Sequence, residues 1–160
     1  MEVKVGEKAP LFSLVSHEKK MVNLEDFRGS NVVVLFFPLA FSSVCTSELC
    51  MIRDEKKEYN ALNAQVVAIS VDSHYALRKF REEQGYNFDL LSDFNKETSR
   101  SYGALHEEFG LGMRGVSKRA AFVIDKNGLI KHQEILDIPS EMPNFGKIKE
   151  TLATLNSENP

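Results

Sequence analysis

The clearest hydrophobic feature of the chain is Asn31-Val-Val-Val-Leu-Phe-Phe37, a continuous β-branched and aromatic run. A run without alternation predicts a strand buried on both faces. From about Val44 to Tyr59 the apolar positions switch to helical spacing, and Gln65-Val-Val-Ala-Ile-Ser-Val71 then predicts a second buried strand. Two such strands joined by a helix imply a right-handed parallel βαβ unit. Another helix is predicted over Ser73 to Gln84, begun by a serine and stopped by Gly85. After a polar, loop-rich middle, Ala120–Asp125 and Leu129–Ile135 flank Lys126-Asn127-Gly128, and Asn-Gly between two such runs is a hairpin signal. Ile148, Leu152 and Leu155 recur at i, i+4 and i+7, so Phe145 to Leu155 should close the fold as an amphipathic helix. No repeat, low-complexity stretch or linker interrupts the pattern. Residues 1–160 are therefore expected to form one α/β domain, a central mixed β-sheet with helices on both faces.

In such sheets, functional groups collect beyond the carboxyl ends of the parallel strands. Pro38-Leu-Ala-Phe-Ser-Ser-Val-Cys45 occupies that place, directly after the first buried run. Pro38 ends the strand. Cys45, in the first turn of the following helix, would face unpaired backbone N–H groups and the positive end of the helix dipole, and both favour thiolate over thiol. Ser42 can cap that helix or present its hydroxyl to whatever the sulfur attacks. On position alone, a reactive thiol and a small buried hydrophobe at a helix start are equal alternatives.

Composition narrows the setting. A net charge of -3 gives no electrostatic attraction to nucleic acid or to an anionic membrane. The longest apolar stretch, VVVLFFPLAF, is too short to span a bilayer and contains Pro38. MEVKVGEKAP lacks the apolar core of a secretory signal, so a cytoplasmic protein is expected, where thiols are kept reduced. The only two cysteines, Cys45 and Cys50, are then reactive groups or bystanders rather than a disulfide framework. His17, His74, His106 and His132 have no ligand spacing to them, so neither a metal nor another cofactor is expected. Each histidine is expected to be at the surface or locally hydrogen-bonded.

Pro38-x-x-x-Ser42-x-x-Cys45 resembles the Pro-x-x-x-Thr/Ser-x-x-Cys signature of the peroxiredoxins, which are thiol peroxidases of thioredoxin-like fold. The resemblance continues through Glu48, Leu49, Arg53 and Asp54, then LLSDF (90–94), SYG (101–103), Arg119–Asp125 and Gly128. FFPLAFSSVC is most similar to the one-cysteine alkyl hydroperoxide reductase E branch, whereas a second cysteine five residues on is similar to the bacterioferritin-comigratory (Q) branch. The resemblance implies that Cys45 is the peroxidatic cysteine, attacking hydrogen peroxide or an organic hydroperoxide and becoming a sulfenic acid. Ser42 stands where the family usually has threonine and lacks the methyl that restricts its rotamers. Arg119 matches the arginine that stabilises thiolate and transition state, with the backbone N–H groups of Val44 and Cys45 as further donors. Glu48 matches an acidic partner for arginine, although a first-turn Glu also complements the helix dipole. Arg53 is either the partner of Glu48 or a solvated helix residue.

The Q-branch likeness makes Cys50 a resolving thiol that captures the sulfenic acid as an intramolecular disulfide. In an intact helix the two Cα atoms would lie roughly 8–9 Å apart, beyond the ~7 Å a disulfide tolerates. The helix must therefore unwind between them. Cys50 falls on the polar side of the helical wheel, near Thr46, Arg53 and Lys57, which favours an accessible thiol. A one-cysteine cycle with an external thiol is the alternative, and a peroxide-sensing switch or holdase chaperone is a rival of another class. A thioredoxin-type exchanger fits poorly, because C-x-x-x-x-C replaces C-x-x-C and no proline lies near Arg119. The implied partners are a hydroperoxide and a reductant, whether thioredoxin, a glutaredoxin-like protein or a low-molecular-weight thiol. Phe41, Leu105, Phe109, Leu111 and Met113 lie in segments expected to border the site. They suggest a homodimer interface, the alternative being a monomer in which they close over the core or line a substrate pocket.

Overall fold

The computed structural model describes residues 3–158. It begins with an antiparallel hairpin of β1 (Ser13–Ser16) and β2 (Met21–Asn23), followed by a 3-10 turn at Leu24–Phe27. The β-branched run forms β3 (Asn31–Phe36), every residue of it buried. Helix α1 (Ser43–Asp54) and the short α2 (Lys56–Ala61) lead to β4 (Ala64–Ser70), which pairs parallel with β3 as the two apolar runs require. Helix α3 (His74–Gln84) starts at the Ser73 cap, whose hydroxyl accepts the Ala76 N–H, and stops at Gly85 in the left-handed conformation. Then come β5 (Asp89–Ser92), α4 (Glu97–Ser101), β6 (Leu105–His106), a 3-10 turn at Gly110–Gly112 and β7 (Val116–Ser117). The hairpin of β8 (Arg119–Ile124) and β9 (Ile130–Leu136) precedes the closing helix α5 (Phe145–Glu158).

The main sheet has seven strands in the order β2-β1-β5-β4-β3-β8-β9, and β6 with β7 makes a separate ribbon. Because strand side chains alternate, β3 divides the core in two. Val33, Leu35 and Phe37 pack in one cluster with Leu49 and Ile52 of α1, Leu77 and Phe80 of α3, and Ile148 and Leu152 of α5. Val32, Val34 and Phe36 pack in the other with Leu24, Tyr102 and Phe122. Helix is thus found on both faces, but unevenly, since only α4 and the 3-10 turn accompany the second cluster.

Three expectations change in detail. The helix expected from Val44 to Tyr59 breaks at Glu55 (φ -102°, ψ 13°), although Tyr59 still reaches the core from α2. The hairpin turn is built on Asp125, whose carbonyl accepts the Gly128 N–H at 2.9 Å, and Gly128 supplies the positive φ of 86°. Asn127 is therefore inside the turn without being one of a left-handed pair. Finally, β1, β2 and β5 run only three or four residues, too short for alternation to distinguish them from loop.

Leu152 is fully buried and docks α5 on the sheet. Leu152→Ala should lower the unfolding free energy by about 2–5 kcal/mol, seen as a lower urea midpoint with an unchanged slope.

Candidate active site

The site begins where β3 runs out. The Phe37 N–H still donates to the Ile69 carbonyl at 3.0 Å, extending the parallel ladder by one residue. Pro38, buried and lacking an N–H, stops it. The loop then turns back under two restraints. The Ala40 N–H donates to Asp72 Oδ2 at 2.8 Å, and Phe41 adopts a left-handed φ of 70° with its ring 4.9 Å from that of Phe80. Asp72 is itself fixed at the end of β4: its carboxylate accepts the Ser70 hydroxyl at 2.6 Å, and its carbonyl accepts the Ser92 hydroxyl from the end of β5. The ends of three adjacent parallel strands thereby hold one loop.

Ser42 occupies the N-cap of α1 without making a side-chain cap bond; its hydroxyl donates to the Leu39 carbonyl at 2.9 Å instead. With its proton so used, the oxygen of this exposed residue keeps its acceptor capacity. Val44 and Cys45 lie in the first helical turn, where backbone N–H groups have no intrahelical acceptor. Cys45 is fully buried.

Arg119 comes from the first position of β8. It shares a face with Ala121 and Val123, both in the cluster under α1, and β8 runs antiparallel to β3 with Ala120 opposite Phe36. The start of β8 therefore lies at the end of β3, which brings Arg119 to a cysteine 74 residues earlier. Its Nη2 donates to Cys45 Sγ at 3.3 Å, and its Nη1 to Glu48 Oε1 at 2.8 Å. The Pro139 carbonyl accepts from Nε at 3.3 Å and from Nη2 at 3.0 Å. Glu48 stands three residues after Cys45, on the same face of α1. Glu48 thus faces Arg119 rather than solvent and has no exposed surface.

Electrostatically this is a tense pair. Burial pushes the Glu48 carboxyl up to about 7, against the pull of Arg119, and Oε2 has no hydrogen-bond partner. Burial also works against the charge on Arg119, but Glu48 and Cys45 outweigh it and hold the guanidinium protonated. A full positive charge with fixed N–H donors consequently faces the sulfur, where any negative charge on Sγ is stabilised without solvent.

Cys50 is not part of this cluster. It is half-buried rather than open on a polar face: Sγ donates to Gln84 Oε1 at 3.5 Å, lies 3.7 Å from the Tyr86 hydroxyl, and packs against the main core. Of the polar neighbours expected from the helical wheel, Thr46 and Arg53 are bonded to the turn between α3 and β5, while Lys57 is exposed on α2 beyond the break. Arg53 is not the partner of Glu48; it pairs with Asp54 and donates to the Gln84 carbonyl. Both cysteines are free thiols. One histidine departs from expectation, His106, which is buried with Nε2 unpaired, while His17 is buried but hydrogen-bonded. Burial lowers the pKa of each. His17 lies with Glu18 and Asp89, yet its Nδ1 accepts the Leu90 N–H at 3.4 Å, which puts the proton of the neutral ring on Nε2 rather than leaving a lone pair for a metal. Phe41, Leu111 and Met113 are exposed, Leu111 completely, while Leu105 and Phe109 are half-buried.

Sequence reasoning missed Asp72 and the Pro139 carbonyl. An acid directly after the second parallel strand was a usable signal for Asp72. A backbone carbonyl carries none.

A helix-borne cysteine at the end of a parallel strand, held against a buried arginine, defines a thiol-centred site on a thioredoxin-like fold. Residues 5–133 match the AhpC/TSA family, and the chain belongs to that family, the peroxiredoxins. It is 41% identical over 145 residues to the mitochondrial thioredoxin-dependent peroxide reductase of Bos taurus, covering 84% of this chain. This chain spans about half of that protein, 54% of its length. It is 37% identical over 128 residues to the putative peroxiredoxin bcp of Haemophilus influenzae, covering 79% of this chain and 82% of the relative. The crystal structure of peroxidoxin BcpB from Mycobacterium tuberculosis superposes with a TM-score of 0.82 at 27% identity, covering 99% of this chain and 100% of that one.

The Glu48 carboxyl generates a pH prediction. Its pKa is raised from 4.5 to about 7 on folding, so folding takes up a proton between those values. The resulting stability is fully present below about 4.5 and is lost as the pH rises through about 7. Denaturant midpoints measured across this window should fall for wild type relative to Glu48→Gln.

Proposed function

We propose that the chain is a thiol-dependent peroxidase acting on hydrogen peroxide and organic hydroperoxides through Cys45. The Arg119 Nη2 donor at 3.3 Å from Cys45 Sγ is the observation that carries this reading. The thiolate attacks the nearer peroxide oxygen and the O–O bond breaks. Cys45 becomes a sulfenic acid, and the leaving oxygen departs as water or an alcohol after taking up a proton. Negative charge moves from sulfur to the departing oxygen, so donors placed before the reaction stabilise the transition state without reorganising. Arg119 and the Val44 and Cys45 N–H groups supply them. Pro38 shapes the floor, Ser42 offers its oxygen to the peroxide O–H, and Glu48 orients Arg119. Because Cys45 has no exposed surface, substrate contact requires the Phe41–Val44 segment to open.

Turnover needs a reductant. In this reading Cys50 condenses with the sulfenic acid to give a disulfide and water, and a cellular dithiol then exchanges with that disulfide. Thioredoxin is the favoured dithiol, since the bovine relative is named for dependence on it. A cytoplasmic setting and a homodimer through the exposed Phe41, Leu111 and Met113 belong to the same proposal.

Peroxide consumption with thioredoxin, glutaredoxin or a small thiol tests it. Cys45→Ser should abolish turnover, and Arg119→Met should slow sulfenic acid formation by about 10²-fold. With one equivalent of peroxide, wild type should lose two hydrogens by mass, whereas Cys50→Ser should retain one added oxygen. Retention of that oxygen by wild type would leave the one-cysteine cycle in place of the disulfide.

A further inference from the structure

The two cysteines bracket Thr46-Ser47-Glu48-Leu49, and one side chain, Tyr86, bonds the first residue of that segment and lies against Cys50 just beyond its end. Tyr86 donates its O–H to the Thr46 carbonyl at 3.3 Å, the carbonyl that α-helical geometry assigns to the Cys50 N–H. Its oxygen lies 3.7 Å from Cys50 Sγ, whose one proton goes to Gln84 Oε1 at 3.5 Å, so the hydroxyl packs against the sulfur without taking its S–H. The Tyr86 ring is rigidly placed, stacked with Phe88 at 5.4 Å and edge-on to Phe80 at 5.1 Å. Further along α1 the same turn is fastened again: Arg53 Nη1 donates to the Gln84 carbonyl, and Asn87 Nδ2 donates to the Arg53 carbonyl at 3.3 Å. The second half of α1 is therefore strapped to the α3–β5 turn. The first turn, carrying Cys45, is the part that must unwind, and it is held by the Tyr86 bond to Thr46 together with the Arg119 bonds to Cys45 and Glu48.

We propose that Tyr86 is a positioning residue that latches the Thr46–Cys50 segment in its helical form, so that release of its hydroxyl sets how fast Cys50 reaches oxidised Cys45. The proposal rests on Cys50 being the resolving thiol. The step it gates is balanced: Cys45–SOH and Cys50–SH give one S–S bond and one water. While the latch holds, the sulfenic acid stays exposed to a second peroxide and to conversion to sulfinic acid. The latch therefore slows resolution and, in the same measure, lowers resistance to overoxidation.

Tyr86→Phe removes the hydroxyl and keeps the ring among Phe80 and Phe88. Rapid-quench mass spectrometry after one equivalent of hydrogen peroxide should show the sulfenic acid converting to disulfide about fivefold faster than in wild type, the factor one neutral hydrogen bond contributes. The peroxide concentration giving half-maximal sulfinic acid should rise by the same factor. Amide exchange should quicken at Ser47–Cys50 and not along β8. Disulfide forming at an equal or lower rate in Tyr86→Phe would overturn the latch and leave Cys50 as resolver. Faster exchange throughout the chain would overturn it in favour of general destabilisation. No disulfide in either protein would overturn both the latch and the resolving role of Cys50.

Discussion

A guanidinium with almost no solvent contact must have its charge and its donors met by protein, and that requirement organises this structure. Arg119 meets it with a carboxylate, a main-chain carbonyl and a sulfur. The carboxylate and the sulfur come from α1 and the carbonyl from the loop after β9, so one side chain pins β8 to both. Burying the pair is costly, as the raised Glu48 carboxyl records, and removing either member would leave the other charge stranded. The arrangement makes sense as preorganisation, with desolvation accepted so that donors need not move when charge develops nearby.

The sheet makes that preorganisation possible. Parallel pairing of β3, β4 and β5 aligns their carboxyl ends, and Asp72 uses all three to fix the loop before Cys45. The antiparallel β8 arrives from the opposite direction, which places its first residue where β3 stops. The left-handed Phe41 lies in this loop and packs on α3. A non-glycine residue in that conformation persists only where surrounding contacts over-determine it.

A division of labour runs through α1. Its buried face, with Cys45, Glu48, Leu49 and Ile52, serves the site and the core. Its opposite side, with Thr46, Cys50 and Arg53, is bound to the turn after α3. In the proposed cycle the same helix is rigid for peroxide chemistry and divisible for thiol exchange, and different hydrogen bonds lie on its two sides.

Much of this was legible in the amino-acid order alone. Buried runs identified β3 and β4, periodicity and stop signals identified α3 and α5, and the spacing from Pro38 to Cys45 placed the cysteine in the first helical turn beyond β3. Those features are local, since burial period and backbone preference are written in neighbouring residues. Tertiary structure decided what depends on distant contacts. The division of α1 at Glu55, the anchoring by Asp72 and Pro139, and the partner of Arg53 could not be read from spacing. The setting of Cys50 beneath Gln84 and Tyr86 belongs with them, because a helical wheel reports which way a side chain faces and not what another segment lays over it.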